Sequence, residues 1–348
     1  MSYSVAYFGA GPLDTTCRGV LRELAGRGHT VTLHLARADA GMQTLPGCRT
    51  VLHAGTPDSV APALEHAARA DVVLRASRGD ALPAARENFE DWLDAAVLAV
   101  RRPEAVALYW DVRPRVTLER LQRRPGDAPG ELLARFDGVL AGGGGATILR
   151  GFRTAGARFC MPLYPAIDPL ASHPAPPDLR FAGDLGCTGD DVEPLFVATA
   201  AGMPDRHFVL ASDDCDGLPP NISCRPLRGP AERNVFFATP LAILTTGGSY
   251  VPPASLFEAA GACACIIAGA DDGLSLFFEP GREVLAADGP AAVQEQLRTL
   301  DPARAGVIGR RALRRVLAEH TFAHRALQLD LLLSGRELRQ HQTGASLG

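Results

Sequence analysis

The sequence predicts an α/β protein built from two parallel-sheet domains in tandem, and three observations predict it. Short apolar runs alternate with helix-periodic stretches along most of the 348 residues. A segment with five prolines in 17 residues, YPAIDPLASHPAPPDLR (164–180), interrupts the alternation near the middle. Beyond it the alternation restarts, so the chain reads as one layer plan used twice.

The elements follow in order. SVAYFGAG (4–11) is an apolar strand that ends at Gly9 and runs into a Gly/Pro loop. Val20, Leu21 and Leu24 mark the apolar stripe of the next helix, Gly26 and Gly28 stop it, and TVTLHL is a strand again. This is a βαβ unit, whose crossover is right-handed. Further strands are expected at Arg49–His53, Ala70–Arg75, Ala105–Trp110, Gly138–Ala141 and Arg158–Met161, with AARENFEDWLDAAVLAVRR as a long helix among them. The proline density of 164–180 excludes a helix or a central strand there. After this linker come LRFAGDLG as strand and loop, DVEPLFVATAAGM as helix, and HFVLAS, ISCRPL and LAILTT as strands. PPASLFEAAGA is a helix, CACIIA and REVLAA are strands, and AAVQEQLRTL, ARAGVIGRRALRRVLAEH and HRALQLDLLLSGRELRQ are helices.

Composition narrows the function. Hydrophobic residues make up 47% and charged residues 21%, and 35 basic against 39 acidic side chains leave a net charge of −4. No strong field results, which argues against nucleic acid or an anionic membrane as partner. The first strand has neither a basic flank nor a small-residue cleavage site, so it does not read as a signal peptide, and no apolar run reaches spanning length. A cytoplasmic protein is expected. The eight cysteines are scattered without a CxxC pair and read as buried reduced thiols, with Cys263 and Cys265 alternating in a strand and pointing the same way.

Several residues stand out chemically. Glu258 is a lone carboxylate at the start of an apolar helix, where burial costs free energy unless something binds it. A ligand is one candidate partner, and a first-turn position would let the helix dipole help. The plain alternative is a capping box with Ser255. Gly247 and Gly248 precede that helix and permit a nest of N–H groups that suits an anion, or an ordinary turn. Asp271, Asp272, Gly273 and Leu274 follow a strand at its carboxyl end, where ligands sit in such sheets, although a solvated turn reads equally well. In the first half, Gly9–Pro12 is GxGP with Asp14 where a dinucleotide fingerprint has its third glycine, so that motif is not met. Asp14 and Arg18 remain candidate ligand contacts. Asp111, ending a strand in YWDVRP, is a candidate general base, with His53 and Asp80 as rivals. Gly142–Gly145 after another strand allows close approach of a ligand or simply a tight turn. His320 and His324, four apart in a predicted helix, lack a third metal ligand and read as structural, and the Arg run at 310–315 reads as a solvated helix face.

The phrases YWDVRPRVTLERL (109–121), FDGVLAGGGGATILRGFRTAGARFCMPLYPAIDP (136–169), PASLFEAAGACACIIAGADDGLSLFFEPGREVL (253–285) and RRVLAEHTFAHRALQL (314–329) together resemble the CgeB-type, spore-maturation-like glycosyltransferases of the GT-B superfamily. The resemblance covers roughly 105–330 and rests on the order and spacing of the phrases. It implies a GT-B fold, two Rossmann-like doubly wound parallel-sheet domains facing a central cleft. It implies an acceptor domain over 1–165, a linker over 166–178, a nucleotide-sugar domain over 179–325 and a helix over 326–348 that returns to the first domain. The implied activity is sugar transfer with retention from a nucleoside-diphosphate donor (UDP- or GDP-linked) to a small molecule or glycan, with no metal and no further cofactor. Glu258 then takes the two ribose hydroxyls, a geometrically natural pairing of two donors with two acceptor oxygens. Ser255, Leu256, Gly247, Gly248, Asp272, Gly273 and Leu274 line the donor site. Relatives carry a basic residue in the donor loop, and this chain has none between Arg233 and Arg282, so the leaving diphosphate falls to backbone dipoles or to Arg225, Arg228 or Arg233. The alternatives are a GT-B epimerase or hydrolase, and a non-catalytic scaffold. A homodimer is compatible with this reading.

Overall fold

The computed structural model describes residues 2–9, 13–37, 44–77, 84–123, 128–188, 193–245, 253–269 and 273–335, with the side chains of 84–87, 128, 129, 193 and 194 left aside. The chain divides into two compact units, the first formed by Met1–Tyr164 with Phe322–Gly348 and the second by Pro165–Thr321.

The first unit holds a seven-stranded sheet of β1 (Ser4–Phe8), β2 (Thr30–Ala36), β3 (Arg49–His53), β4 (Val72–Ala76), β5 (Val106–Asp111), β6 (Gly138–Ala141) and β7 (Cys160–Pro162). Their order is β3-β2-β1-β4-β5-β6-β7, and every neighbouring pair is parallel. The strands are apolar along both faces because helices cover both sides. Helices α1 (Thr15–Gly26), α2 (Pro57–Ala67), α3 (Ala84–Val100), α4 (Pro114–Arg123), α5 (Ala128–Leu133) and α6 (Gly145–Thr154) lie between them. One face packs Phe8, Val73, Leu93, Val97, Phe136 and Phe152 into a continuous core.

The second unit repeats the plan with β8 (Leu185–Thr188), β9 (Phe208–Ala211), β10 (Ile222–Cys224), β11 (Ala242–Thr245), β12 (Ile266–Gly269) and β13 (Leu285–Ala287). The order is β10-β9-β8-β11-β12-β13, again all parallel. Its helices are α7 (Ala198–Ala201), α8 (Pro230–Ala238), α9 (Ala254–Gly261), α10 (Pro290–Thr299) and α11 (Pro302–Glu319). In both sheets the order reverses beside the first strand of the unit, between β1 and β4 and between β8 and β11. Ligands of such sheets bind at the carboxyl ends of the strands beside that reversal.

Several local expectations change. Leu179–Phe181 is a 3₁₀ turn, and the strand begins only at Leu185. Glu193–Val197 forms a π turn ahead of the short α7. Cys263 and Ala264 precede β12, and Cys263 takes a left-handed φ of 66° to turn the chain into it. Cys265 also lies ahead of β12, so the two cysteines do not alternate within a strand. Cys215 and Cys224 form a disulfide with Cα atoms 5.8 Å apart, which corrects the expectation of eight reduced thiols. The other six cysteines are free.

The expected placement of His320 and His324 four apart on one helix does not hold. His320 caps α11, and the chain restarts as α12 (Phe322–Leu333). Tertiary contacts override the helical pattern: the His320 ring sits among Phe257, Phe277 and Phe278, its Nε2 lies 3.2 Å from the Phe277 carbonyl oxygen, and its own carbonyl accepts from Ile167 N–H. His320 and His324 therefore stand on different elements and do not form an i, i+4 pair. α12 lies against α1, where Gly19 leaves room for the Phe322 ring that any side chain would fill. Arg27 pairs with Asp330 at 2.7 Å, and Gln328 donates to the Pro162 carbonyl.

Candidate functional site

At the carboxyl edge of the second sheet β8 and β11 end and the helix that carries Glu258 follows. β11 ends at Thr245, whose hydroxyl is buried and, among the described residues, has no hydrogen-bond partner. β8 ends at the buried Thr188 beside it. α8 and α9 each start at this edge, because in a parallel sheet the helix after a strand begins where the strand ends.

Glu258 is not unpartnered. Arg233 Nε donates to its Oε2 at 2.5 Å, with the carboxylate side chain 22% and the arginine side chain 39% exposed. The premise of a buried acid awaiting a ligand is thereby corrected: the carboxylate has a partner within the chain and keeps access to water. Its place also differs from expectation. α9 begins at Ala254 with Pro253 as N-cap, so Glu258 is the fifth helical residue and lies past the first turn, where the dipole acts less. No side chain caps the helix, so the Ser255–Glu258 capping box is absent. Arg233 comes from the second turn of α8, and its guanidinium carbon lies 5.4 Å from the Phe237 ring centroid. Among the described residues, Glu258 Oε1 and the two terminal nitrogens of Arg233 take no further hydrogen bond.

The other donor-site candidates are placed as follows. Ser255 is half-buried, and Leu256 is buried in the core with its N–H on the Pro253 carbonyl. Gly273 precedes the 3₁₀ turn Leu274–Leu276, and the Leu274 side chain is buried. Arg225 is exposed and donates to the carbonyls of Arg180 and Cys224. Gly247, Gly248, Asp271 and Asp272 lie outside the described residues, as does Asp80.

In the first unit, Asp14 is the N-cap of α1, accepting from the N–H groups of Thr16 at 2.8 Å and Cys17 at 3.4 Å. Asp111 is wholly buried at the end of β5. Its Oδ1 accepts from the Ser77 hydroxyl at 2.8 Å and from Arg113 N–H at 2.9 Å, while among the described residues Oδ2 has no hydrogen-bond partner. Burial pushes its carboxyl above the usual range, with Thr117, Ser77 and Arg113 N–H acting against that shift. His53 is buried on β3, and its Nδ1 accepts from Gly55 N–H. Gly142 and Gly144 allow close backbone approach: a Cβ at the first would press on the Val112 carbonyl, and one at the second would meet the Tyr164 hydroxyl. Among the described residues no three His, Cys, Asp or Glu side chains are arranged to hold a metal, and no helix is long and apolar enough to cross a membrane.

Sequence reasoning missed the Arg233–Glu258 pair and the orphaned Thr245 hydroxyl. The only sequence signal for the first was the absence of other cations between Arg233 and Arg282.

Known proteins resemble this arrangement. Residues 194–330 match the family described as glycosyl transferase-like. No curated protein matches the chain. Sucrose-phosphate synthase from Thermosynechococcus elongatus superposes with a TM-score of 0.67 at 15% identity, over 97% of this chain and 99% of that one. Anabaena HepE in complex with UDP superposes with a TM-score of 0.70 at 13% identity, over 95% of this chain and all of the other. HepE in complex with UDP-glucose gives 0.68 at 12% identity, over 96% and 100%. At these identities the likeness is one of fold. The chain has the two-Rossmann GT-B fold, and its residues 194–330 are similar to the glycosyl transferase-like family.

Proposed function

We propose that the chain is a glycosyltransferase of the CgeB type, moving a sugar from a nucleoside-diphosphate donor bound by the second unit to a small-molecule or glycan acceptor bound by the first. The observation that carries this reading is the glycosyl transferase-like match over 194–330, which spans β9 to β13 and includes both Arg233 and Glu258. The UDP and UDP-glucose complexes of HepE, a protein of the same fold, support a nucleotide-sugar donor. In this reading Glu258 Oε1 accepts from a ribose hydroxyl, and Oε2 stays with Arg233.

The transfer is read as retaining. Asp111 has no accessible surface, and exposed Asp14 gives one carboxylate oxygen to the α1 cap. A departing diphosphate oxygen then takes the proton of the acceptor hydroxyl as the new glycosidic bond forms and the sugar–phosphate bond breaks.

Calorimetric titration with UDP, GDP and ADP tests the donor half. One of the three is expected to bind, and Glu258→Ala is expected to weaken it about tenfold, the order of a charge-assisted hydrogen bond. Binding by none of them, or equal affinity in the variant, contradicts the reading. The Arg233–Glu258 pair favours one rival, a scaffold that keeps the fold with its donor carboxylate satisfied internally, and absence of nucleotide binding is the outcome that rival requires.

A further inference from the structure

We propose that Arg233 is the cation that meets the phosphates of the bound nucleotide, oriented for that task by Glu258. The inference rests on the reading of the second unit as a nucleoside-diphosphate site and deepens it. The chain contains no lysine, so all 35 of its basic residues are arginines and any permanently cationic side chain that meets a phosphate is a guanidinium. Most arginines of the second unit are committed or badly placed. Arg206 and Arg282 pair with Asp184 and Glu279 and precede β9 and β13, which puts them at the amino edge of the sheet. Arg315 is shared by Glu283 and Glu319, and Arg180 by Asp178 and Glu232. Arg225 uses Nε and one terminal nitrogen on two backbone carbonyls, which leaves it no fork. Exposed Arg228 has only its backbone N–H engaged, on Glu232, so among the described residues no contact orients its guanidinium.

Arg233 differs in geometry. It projects from the second turn of the helix that begins at the carboxyl edge, where ligands of parallel sheets sit. Only its Nε is used, on Glu258, so both terminal nitrogens remain as a fork that matches two phosphate oxygens. Glu258 and the Phe237 ring together fix the plane of that fork, which lowers the ordering cost of binding. Glu258 is thus a positioning residue for Arg233 as well as a ribose contact, and one ion pair serves both halves of a nucleotide.

The test compares a nucleoside diphosphate with its nucleoside. Whichever of UDP, GDP and ADP binds the wild-type protein is titrated alongside the matching nucleoside, for wild type, Arg233→Ala and Arg233→Gln. The expected result is that both variants lower diphosphate affinity about tenfold or more while nucleoside affinity falls less than threefold, so the ratio of the two collapses. An unchanged ratio, with both affinities lowered together or neither lowered, overturns the inference and leaves the donor-site reading standing. If the wild-type protein binds no nucleotide, the reading and the inference fall together. Thermal melts identify any misfolded variant, and should Arg233→Ala misfold, Arg233→Gln, which keeps an N–H for Glu258, decides alone.

Discussion

Arg75 in the first unit and Arg233 in the second both meet carboxylates, and the contrast between them separates a structural ion cluster from a candidate binding group. Arg75 is sealed, with its side chain and that of Glu90 each 1% exposed. Its Nε donates to Asp94 at 2.5 Å and one terminal nitrogen to Glu90 at 2.6 Å, while the other serves the carbonyls of Phe8 and Ala76. Burial opposes the charge, and the Asp94 and Glu90 carboxylates outweigh it, so the guanidinium is held firmly protonated. Arg233 has one bond, one carboxylate and access to water. Saturated donors hold a fold together; open ones are available to something else.

The largest effect that would break this comparison is on stability in the first unit. Arg75→Met strands two buried carboxylates and is expected to cost about 3–5 kcal/mol in urea unfolding, whereas replacing Arg75, Glu90 and Asp94 together with apolar residues should recover much of it. A loss below about 1 kcal/mol for the single variant would mean that the cluster is not sealed.

A smaller effect sharpens the same contrast by pH. Burial, then the neighbouring His66, His53 and Arg49, lower the His34 pKa to about 3. The folded state therefore binds fewer protons than the unfolded chain below about pH 6.5, and stability must fall as pH drops from that value toward 3. The slope from this residue is at most about 1.4 kcal/mol per pH unit, and His34→Phe should remove it. Unfolding midpoints measured between pH 6.5 and 5 in both proteins check this, and equal slopes would contradict it. The smallest effect is expected at the open pair: Arg233→Ala should change unfolding stability by less than about 1 kcal/mol, since a half-exposed pair is screened by water. A larger loss would assign Arg233 to the fold.

What could be read from the sequence follows from the range of the interactions. Strand positions such as TVTLHL and GVLA were legible because a parallel strand buried on both faces is a short apolar run, and the restart of the pattern after the prolines announced two sheets. Glu258 was legible as unusual, but its partner was not, because Arg233 lies 25 residues away on a different helix and only tertiary packing joins them. The Cys215–Cys224 bond was hidden for a related reason: it joins the loop after β9 to the end of β10, and that adjacency comes from strand pairing. The break at His320 is a local pattern defeated by an aromatic pocket made of residues from 257 to 278.

The central claim is that the open Arg233–Glu258 pair is where a nucleotide docks. A crystal structure of the protein grown with the nucleoside diphosphate that binds it tests this most directly. A ribose hydroxyl is expected within hydrogen-bonding distance of Glu258 Oε1, with phosphate oxygens on the terminal nitrogens of Arg233. A nucleotide ordered elsewhere, with the pair still bonded only to itself, would contradict it.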